Sequence, residues 1–363
     1  MVIMSDYLRP ETDMCLDQAI LSIRSKRPHV GKSLPYTVYK SGRYIQLWVN
    51  TSACKFSLMG KCSICDYWDG EFAENAIQQA SEYIDSIGDA CDTFLLNTCG
   101  SCLCDEELPF EQLMNLVSAI AKTTVKRVIL ESHLAYATEE KLTSIVNVLN
   151  GKEVVLEYGQ ESTSHYVLQY CLNKPSMLHE FDIISTLQRR GVTIIANIVI
   201  GSPFLTVYNR INDVVDSIQT LLQKGIDEVV LFPVNIKPYT LVKYLYDNGY
   251  YKRVNANEII KALSRFSSEE LGRIDIAWFE PQREELPAYS EQGLGPQYCE
   301  KCGEIIFEHL LKYRDANNGT ERKEILQEAE MRMCDCEDYL YNYPFPEIDK
   351  AYRFISETVL RRV

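Results

Sequence analysis

Three cysteines fall in the stretch CKFSLMGKCSIC, at Cys54, Cys62 and Cys65, with seven and then two residues between them. A C-x2-C pair presents two thiols on one tight turn. A third thiol a short loop upstream can close a face around a metal. Three thiolates fall one short of a closed structural zinc site, which takes four ligands. Iron–sulfur clusters are also usually held by four cysteines. Three therefore fit a four-iron cluster with one iron left open for a small ligand. S-adenosylmethionine (SAM), which supports radical chemistry, is the candidate for that position. A zinc knuckle with a distant fourth ligand, or buried thiols without a chemical role, fits the spacing equally.

A second set lies near the C-terminus, Cys299 and Cys302 as C-x2-C and Cys334 and Cys336 as C-x-C. Four thiols are the number that a tetrahedral zinc site needs. Two long charged helical stretches lie between the pairs, enough for a helical hairpin that brings them together. A second four-iron cluster and inert thiols are the alternatives.

The elements that must position the first set are strands and helices in alternation. RYIQLWVN, residues 43–50, alternates and is aromatic-rich, as a strand should be, and it feeds directly into the cysteine loop. Further strands are predicted over 93–96, 125–130, 153–158, 193–200 and 228–234, with helices over 72–87, 109–121, 138–149, 176–189 and 211–223. The run at 193–200 is continuous and β-branched, as in a buried parallel strand. Six such strands with helices between them give a parallel sheet, and the count suits a partial barrel of six strand–helix units. Active residues in such sheets lie at the carboxyl ends of the strands, and the Cys54 loop falls there. Residues 1–40 read as an N-terminal extension with a short amphipathic helix around Leu16, Ile20 and Ile23. Residues 41–254 read as the partial barrel. Residues 255–363 read as a C-terminal module, with one more strand over 273–279.

The other strand ends carry polar residues. Asn97, Thr98, Gly100 and Ser101 follow the second strand, and Glu131, Ser132 and His133 the third. Glu157, Gly159 and Glu161 lie on the fourth, Asn197 on the fifth, and Asn235 and Lys237 after the sixth. A bound SAM needs hydrogen bonds to its amino acid and ribose, and a carboxylate such as Glu131 or Glu161 suits its ammonium and sulfonium charges. Each residue alone reads as a loop polar group or a helix cap. Together on one face they read as a site.

Composition sets the bounds. The chain has 363 residues, 46% hydrophobic and 24% charged, with thirteen cysteines. It is long enough for one large domain and a smaller one. No apolar run reaches the length of a membrane span, so no membrane association is expected. The start has no basic region followed by an apolar core, and the cysteines then point to a reducing compartment, the cytoplasm. The net charge of −14 disfavours a nucleic acid held through its phosphates by this chain alone. Basic residues gather in Arg24-Ser25-Lys26-Arg27, which reads as a solvated helix end.

CKFSLMGKCSICDYW, LNTCGSCLCDEELP, LESHLAYATEEKL, GVTIIANIVIGSPFLT, VVLFPVNIKPYTLVKYLY and GPQYCEKCGE with the later CDCEDY follow one another along the chain. In this order they resemble successive blocks of the archaeosine synthase radical SAM subunit family, related in its core to the elongator-type radical SAM enzymes. The resemblance runs from about Arg43 to Tyr339. It implies a partial (β/α)6 barrel and a four-iron four-sulfur cluster (4Fe-4S) on Cys54, Cys62 and Cys65, with SAM on the open iron. It implies reductive cleavage of SAM to a 5′-deoxyadenosyl radical that abstracts a substrate hydrogen, with an electron donor such as flavodoxin or ferredoxin. It places Ile64 against the adenine, lets Tyr67 or Trp68 shape that wall, and gives the NTCGS block to the SAM amino group. The C-terminal blocks resemble a small closing module, which favours zinc there.

Archaeal members of that family act on a lysine-modified 7-deazaguanine in tRNA. Because of the charge, a small-molecule or free 7-deazaguanine-related substrate is the expectation here, and a tRNA-modifying lyase the alternative. A metal-bearing binding subunit without catalysis is the reading from another class. Where the family reads GSF after the second strand, this chain reads GSCLC. One of Cys99, Cys102 and Cys104 is therefore a candidate substrate-facing thiol or second-metal ligand, against the alternative of small residues filling a tight turn.

Overall fold

The computed structural model describes residues 16–27, 34–67, 70, 72, 75–174, 181–281, 293–334 and 348–360. Eight strands form one curled sheet in sequence order: β1 (Tyr36–Ser41), β2 (Tyr44–Val49), β3 (Thr93–Asn97), β4 (Arg127–Glu131), β5 (Glu153–Glu161), β6 (Val192–Ile200), β7 (Glu228–Pro233) and β8 (Ile274–Ile276). β2 to β8 pair in parallel, and only β1 runs antiparallel, against β2. The six parallel strands read from the sequence are β2 to β7, and the α/β half-barrel architecture is the one expected. β8 lies inside the strand predicted over 273–279. β1 is additional, and it begins within the segment read as an N-terminal extension. Its sequence YTVYKS is half-buried to exposed along its length, and its apolar face, Tyr36 and Val38 against the main core, is too short to announce a strand. Gly42, with φ +55, makes the tight turn into β2.

Alternation along the strands divides the molecule into an outside and a lumen. Ile45, Leu47, Phe94, Leu96, Val128, Leu130, Val154, Leu156, Ile194 and Ala196 point outward into the main core beneath the helices. The alternate residues Leu95, Ile129, Val155 and Ile195 form a small separate apolar layer inside the barrel. Each buried aliphatic side chain contributes about 1.5–3 kcal/mol. Above that layer, toward the carboxyl ends, the inward positions become polar. Glu131 on β4 is the register partner of Glu157 on β5. Between Gly159 and Glu161 the β5–β6 register shifts, and Glu161 takes a left-handed φ of 66. A bulge of this kind re-aims a side chain at a sheet rim.

Helices α3 (Ala76–Ser86), α4 (Phe110–Ala121), α5 (Glu139–Val148), α6 (Phe181–Arg189), α7 (Val207–Gln223), α9 (Ala256–Leu263) and α10 (Ser268–Leu271) cover the outer face, whereas α2 (Lys55–Leu58) lies within the cysteine loop and α8 (Leu241–Asp247) follows the carboxyl end of β7. Side-chain oxygens of Thr138, Thr206 and Thr240 cap three of them, each worth about 1 kcal/mol. α1 (Leu16–Arg24) and α13 (Ile348–Thr358) share a second apolar cluster with α8 at the carboxyl-end face. α11 (Gly303–Asp315) and α12 (Gly319–Arg332) fold back on each other. They grip the edge strand: Arg322 Nη1 donates to the carbonyls of Leu271 (2.9 Å) and Ile274 (2.6 Å), and Tyr313 Oη donates to that of Ile274 (2.9 Å).

Candidate functional site

The cysteine loop leaves the end of β2 and turns back on itself. The Cys54 N–H donates to the Tyr67 carbonyl at 2.8 Å, which closes the loop at its base. Cys62 has a φ of 63 and its neighbour across the loop, Asn173, a φ of 52. Left-handed conformations at such residues cost on the order of 1 kcal/mol each and persist where the surroundings over-determine them. Here the Cys62 N–H donates to the Asn173 carbonyl (3.1 Å) and the Ser63 N–H to that of Leu172 (2.8 Å).

Arg24 corrects the sequence reading of its segment. It is not part of a solvated helix end but is 2% exposed. Its guanidinium donates to the Ser57 carbonyl and to those of Lys61 (3.0 Å), Cys62 (3.1 Å) and Cys65 (3.1 Å), all within the cysteine loop. The helix spacing was legible, but nothing in RSKR distinguishes an arginine that turns inward to a loop more than thirty positions away.

The loop faces a cavity of about 550 Å³ in the mouth and lumen of the half-barrel. Cys54, Cys62, Cys65, Ile64, Tyr67, Gly100, Ser101, Glu131, Glu161, Asn197 and Asn235 line it. Asn97 and Thr98 are buried behind it. The Asn97 side chain hydrogen-bonds Glu131, and its Oδ1 accepts from the Thr98 N–H at 2.8 Å. Cys99, Cys102 and Cys104 are also buried, and they are not among the lining residues. Burial raises all three thiols, Cys99 to about 11. Cys99 Sγ donates to Asn50 Oδ1 at 3.2 Å. Trp68 and Cys336 lie outside the described residues.

Four more side chains complete the site: Lys174 and Glu107, which the sequence reading did not name, and Lys237 and His133, which it named only as strand-end polar residues. Lys174 Nζ donates to Glu161 Oε1 (3.0 Å) and to the Gly159 carbonyl (2.7 Å). A Cβ on Gly159 would lie 2.7 Å from Glu161 Oε1 and 3.0 Å from Lys174 Nζ, so glycine leaves this ion pair its room. Glu161 Oε2 has no hydrogen-bond partner among the described residues. Lys237 Nζ pairs with Asp66 at 2.7 Å, and it lies 4.6 Å from the Tyr67 ring centre and 5.5 Å from that of Trp278. Glu107, 2% exposed, accepts from the N–H of Lys55 in the cysteine loop (2.9 Å) and from that of Ser101 (2.5 Å). It thereby ties the loop to the β3 turn. His133 stacks on Phe56 at 4.3 Å, and burial lowers it to about 3, so it stays neutral at physiological pH.

The residues present fit a cluster and SAM here. The three thiols share one loop at the rim of a cavity large enough for a cofactor and a small substrate. Burial raises all of them, Cys65 to about 12 with Cys62 and Asp66 adding to the effect, so they hold their protons until a metal displaces them. The β3 turn closes against the loop only because residue 100 is glycine. A Cβ there would lie 2.9 Å from Cys54 Cβ and 2.0 Å from Glu107 Oε2. The unpartnered oxygens of Glu161 and Asn197 sit in the same cavity as acceptors for a ligand.

The second set of thiols has a different geometry. Cys299 Sγ and Cys334 Sγ are 3.6 Å apart, and Cys334 Sγ and Cys302 Sγ 3.5 Å. Thiolates bound at about 2.3 Å to one tetrahedral ion lie roughly 3.8 Å from each other. Among the described residues these three donors all lie within 4.8 Å of one another. The helical hairpin of α11 and α12 brings them together as the sequence suggested.

The chain is 21% identical over 310 residues to archaeosine synthase subunit beta of Methanosarcina acetivorans, covering 81% of this chain and 86% of that protein. It is 23% identical over 294 residues to an uncharacterized protein of Methanocaldococcus jannaschii, covering 77% and 78%. Among solved structures it is similar to an N-terminally truncated Elp3 of Methanocaldococcus infernus, with a TM-score of 0.47 and 13% identity. That match covers 75% of this chain and 64% of that one, under two thirds of its length. A likeness to methylornithine synthase has a TM-score of 0.46 and 15% identity, over 72% and 70%. No family model matches the chain. Across most of both sequences the chain resembles archaeosine synthase subunit beta, and with it the radical SAM family to which its motifs pointed.

Proposed function

We propose that the chain is a radical SAM enzyme, with Cys54, Cys62 and Cys65 holding a 4Fe-4S cluster and SAM in the upper half of the cavity. The observation that carries this reading is the three-thiol loop at the rim of a lumen whose other strand ends are polar. When bound, the cluster supplies the electron for reductive cleavage of SAM to methionine and a 5′-deoxyadenosyl radical. The chain's own residues bind and orient. Ile64 and Tyr67 would offer an apolar wall to the adenine, and Gly100 and Ser101, which line the same cavity, would take the SAM amino acid. Glu161, held by Lys174, presents one free carboxylate oxygen to a positive or hydroxyl group. Glu131, Asn197 and Asn235 offer further polar contacts to SAM, and the rest of the lumen, with Glu157, Phe232 and Trp278, is left for the substrate. A buried carboxyl with aromatic walls suits a flat, polar small molecule such as a 7-deazaguanine-related base. An external donor of the flavodoxin or ferredoxin type would supply the electron.

The test is anaerobic reconstitution with iron and sulfide, then SAM and dithionite. Formation of 5′-deoxyadenosine is expected. A fully loaded cluster that leaves SAM intact would favour the non-catalytic binding subunit instead. The second reading, a tRNA-modifying lyase of the archaeosine type that works with a partner subunit, is favoured by the similarity to a protein named as a subunit. For the C-terminal thiols we propose structural zinc with Cys336 as fourth ligand, supported by sulfur spacings of 3.5 and 3.6 Å. Elemental analysis should find one zinc per chain besides the cluster iron. About eight irons and no zinc would mean a second cluster instead. No helix of the described residues is long and apolar enough to cross a membrane.

A further inference from the structure

Helix α1 lies across the back of the cysteine loop. Asp17 in its first turn accepts from Lys61 Nζ at 2.7 Å on each carboxylate oxygen, and from Asn173 Nδ2 at 2.6 Å. The contact is so close that a Cβ on Gly60 would lie 2.5 Å from the Asp17 carbonyl oxygen. At the far end of the helix, Arg24 spreads its fork over four loop carbonyls, two of them belonging to Cys62 and Cys65. Among the described residues its hydrogen-bond acceptors are all neutral carbonyls, and its buried charge acts on the thiols of Cys65, Cys62 and Cys54 and on the carboxylate of Asp66.

We propose that Arg24 is a positioning residue for the cluster: it fixes the loop that presents the three thiolates, and its buried charge raises the cluster's reduction potential. This rests on the cluster reading of Cys54, Cys62 and Cys65. Reduction adds negative charge to a centre that is already anionic, and a fixed cation in a low-dielectric setting favours the reduced form. The fork matters separately. Four carbonyls converge on one planar group, and a group that cannot reach them all leaves buried acceptors unmatched.

The two roles separate in Arg24→Gln and Arg24→Lys, each reconstituted anaerobically beside the wild type. Iron retention is read as the half-life of cluster absorbance in a chelator. The midpoint potential and the EPR spectrum of the reduced cluster are read by redox titration. The glutamine variant is expected to shift its midpoint to more negative potential and to lose iron several-fold faster. The lysine variant keeps the charge but not the fork, so it should lose iron faster while its midpoint stays near that of the wild type. Where the neutral variant fails to fold, the lysine variant decides by its iron half-life. Wild-type half-life and midpoint in both variants overturn the proposal. So does a glutamine variant that melts earlier as metal-free protein while its remaining cluster keeps the wild-type midpoint. A wild-type protein that takes up no cluster would remove the cluster reading itself, a result distinct from variants that match a loaded wild type.

Discussion

Glu131 and Glu157 are register neighbours on β4 and β5, fully inside the lumen, and burial raises both carboxyls above their ordinary range. For Glu131 the neighbouring Glu157 adds to the effect. A carboxyl with a raised folded pKa binds more protons folded than unfolded, so stability is greatest below its ordinary value of 4.5 and falls as pH rises toward the folded value. Glu131→Gln keeps an acceptor for Asn97 and removes the titration. The variant should therefore be more stable than the wild type at about pH 8, by on the order of 1 kcal/mol or more, with the gap closing toward about pH 5. Urea unfolding of the metal-free proteins at the two pH values checks this, and a gap independent of pH would speak against it. At Gly100 the constraint is steric. Gly100→Ala drives a Cβ into Glu107 and Cys54, and should cost about 1–3 kcal/mol together with cluster uptake, read by melting and by iron content. Both carboxylates and the glycine were visible in the sequence as strand-end residues. Arg24, Glu107 and Lys174 were not, because their roles arise from contacts with backbone groups and side chains that sequence order does not bring near.

At the scale of elements, the strands of the half-barrel were legible because each is apolar on its outward face and short enough to stand between helix signals. β1 was missed because only two of its hydrophobic residues, Tyr36 and Val38, pack against the core, too short an alternation to stand out at the sheet edge. The α11–α12 hairpin was legible from the cysteines at its two ends, yet α12 itself has only a few buried residues, Gly319, Arg322, Leu326 and Ala329. Leu326 and Ala329 join the main core, Arg322 grips β8, Lys323 Nζ donates to the carbonyls of Ser264 (2.7 Å) and Phe266 (2.8 Å), and the thiols near its end lie against those at the start of α11. If one ion ties Cys299, Cys302 and Cys334 together, Cys302→Ser should release about one zinc per chain and destabilise this end of the molecule. Hydrogen exchange would show it as faster exchange of the α11 and α12 amides, with the β3 to β6 amides little changed. Equal loss of protection throughout would mean that the hairpin and the barrel unfold as one unit.

For the molecule as a whole, charge sets what the site can hold unaided. The chain carries 37 basic and 51 acidic residues. The lysines and arginine that line the cavity are already committed: Lys174 to Glu161, Lys237 to Asp66, and Arg127 to Glu153 and Glu228. A phosphate backbone passing the barrel mouth would meet paired cations and a surface of net negative charge. Each phosphate neutralised by a protein cation contributes roughly 0.7–0.9 to the slope of log K against log salt. The chain alone should therefore bind tRNA weakly, with a slope corresponding to only about one or two contacts, across about 50–200 mM salt. Formation of 5′-deoxyadenosine from SAM by the loaded enzyme should not need RNA. Filter binding across that salt range, run beside the cleavage assay, separates the two substrate readings. Tight binding with a steep slope would give the site to tRNA. A shallow slope that steepens only when a second, basic subunit is added would make RNA recognition a property of an assembly and leave the chemistry in this chain.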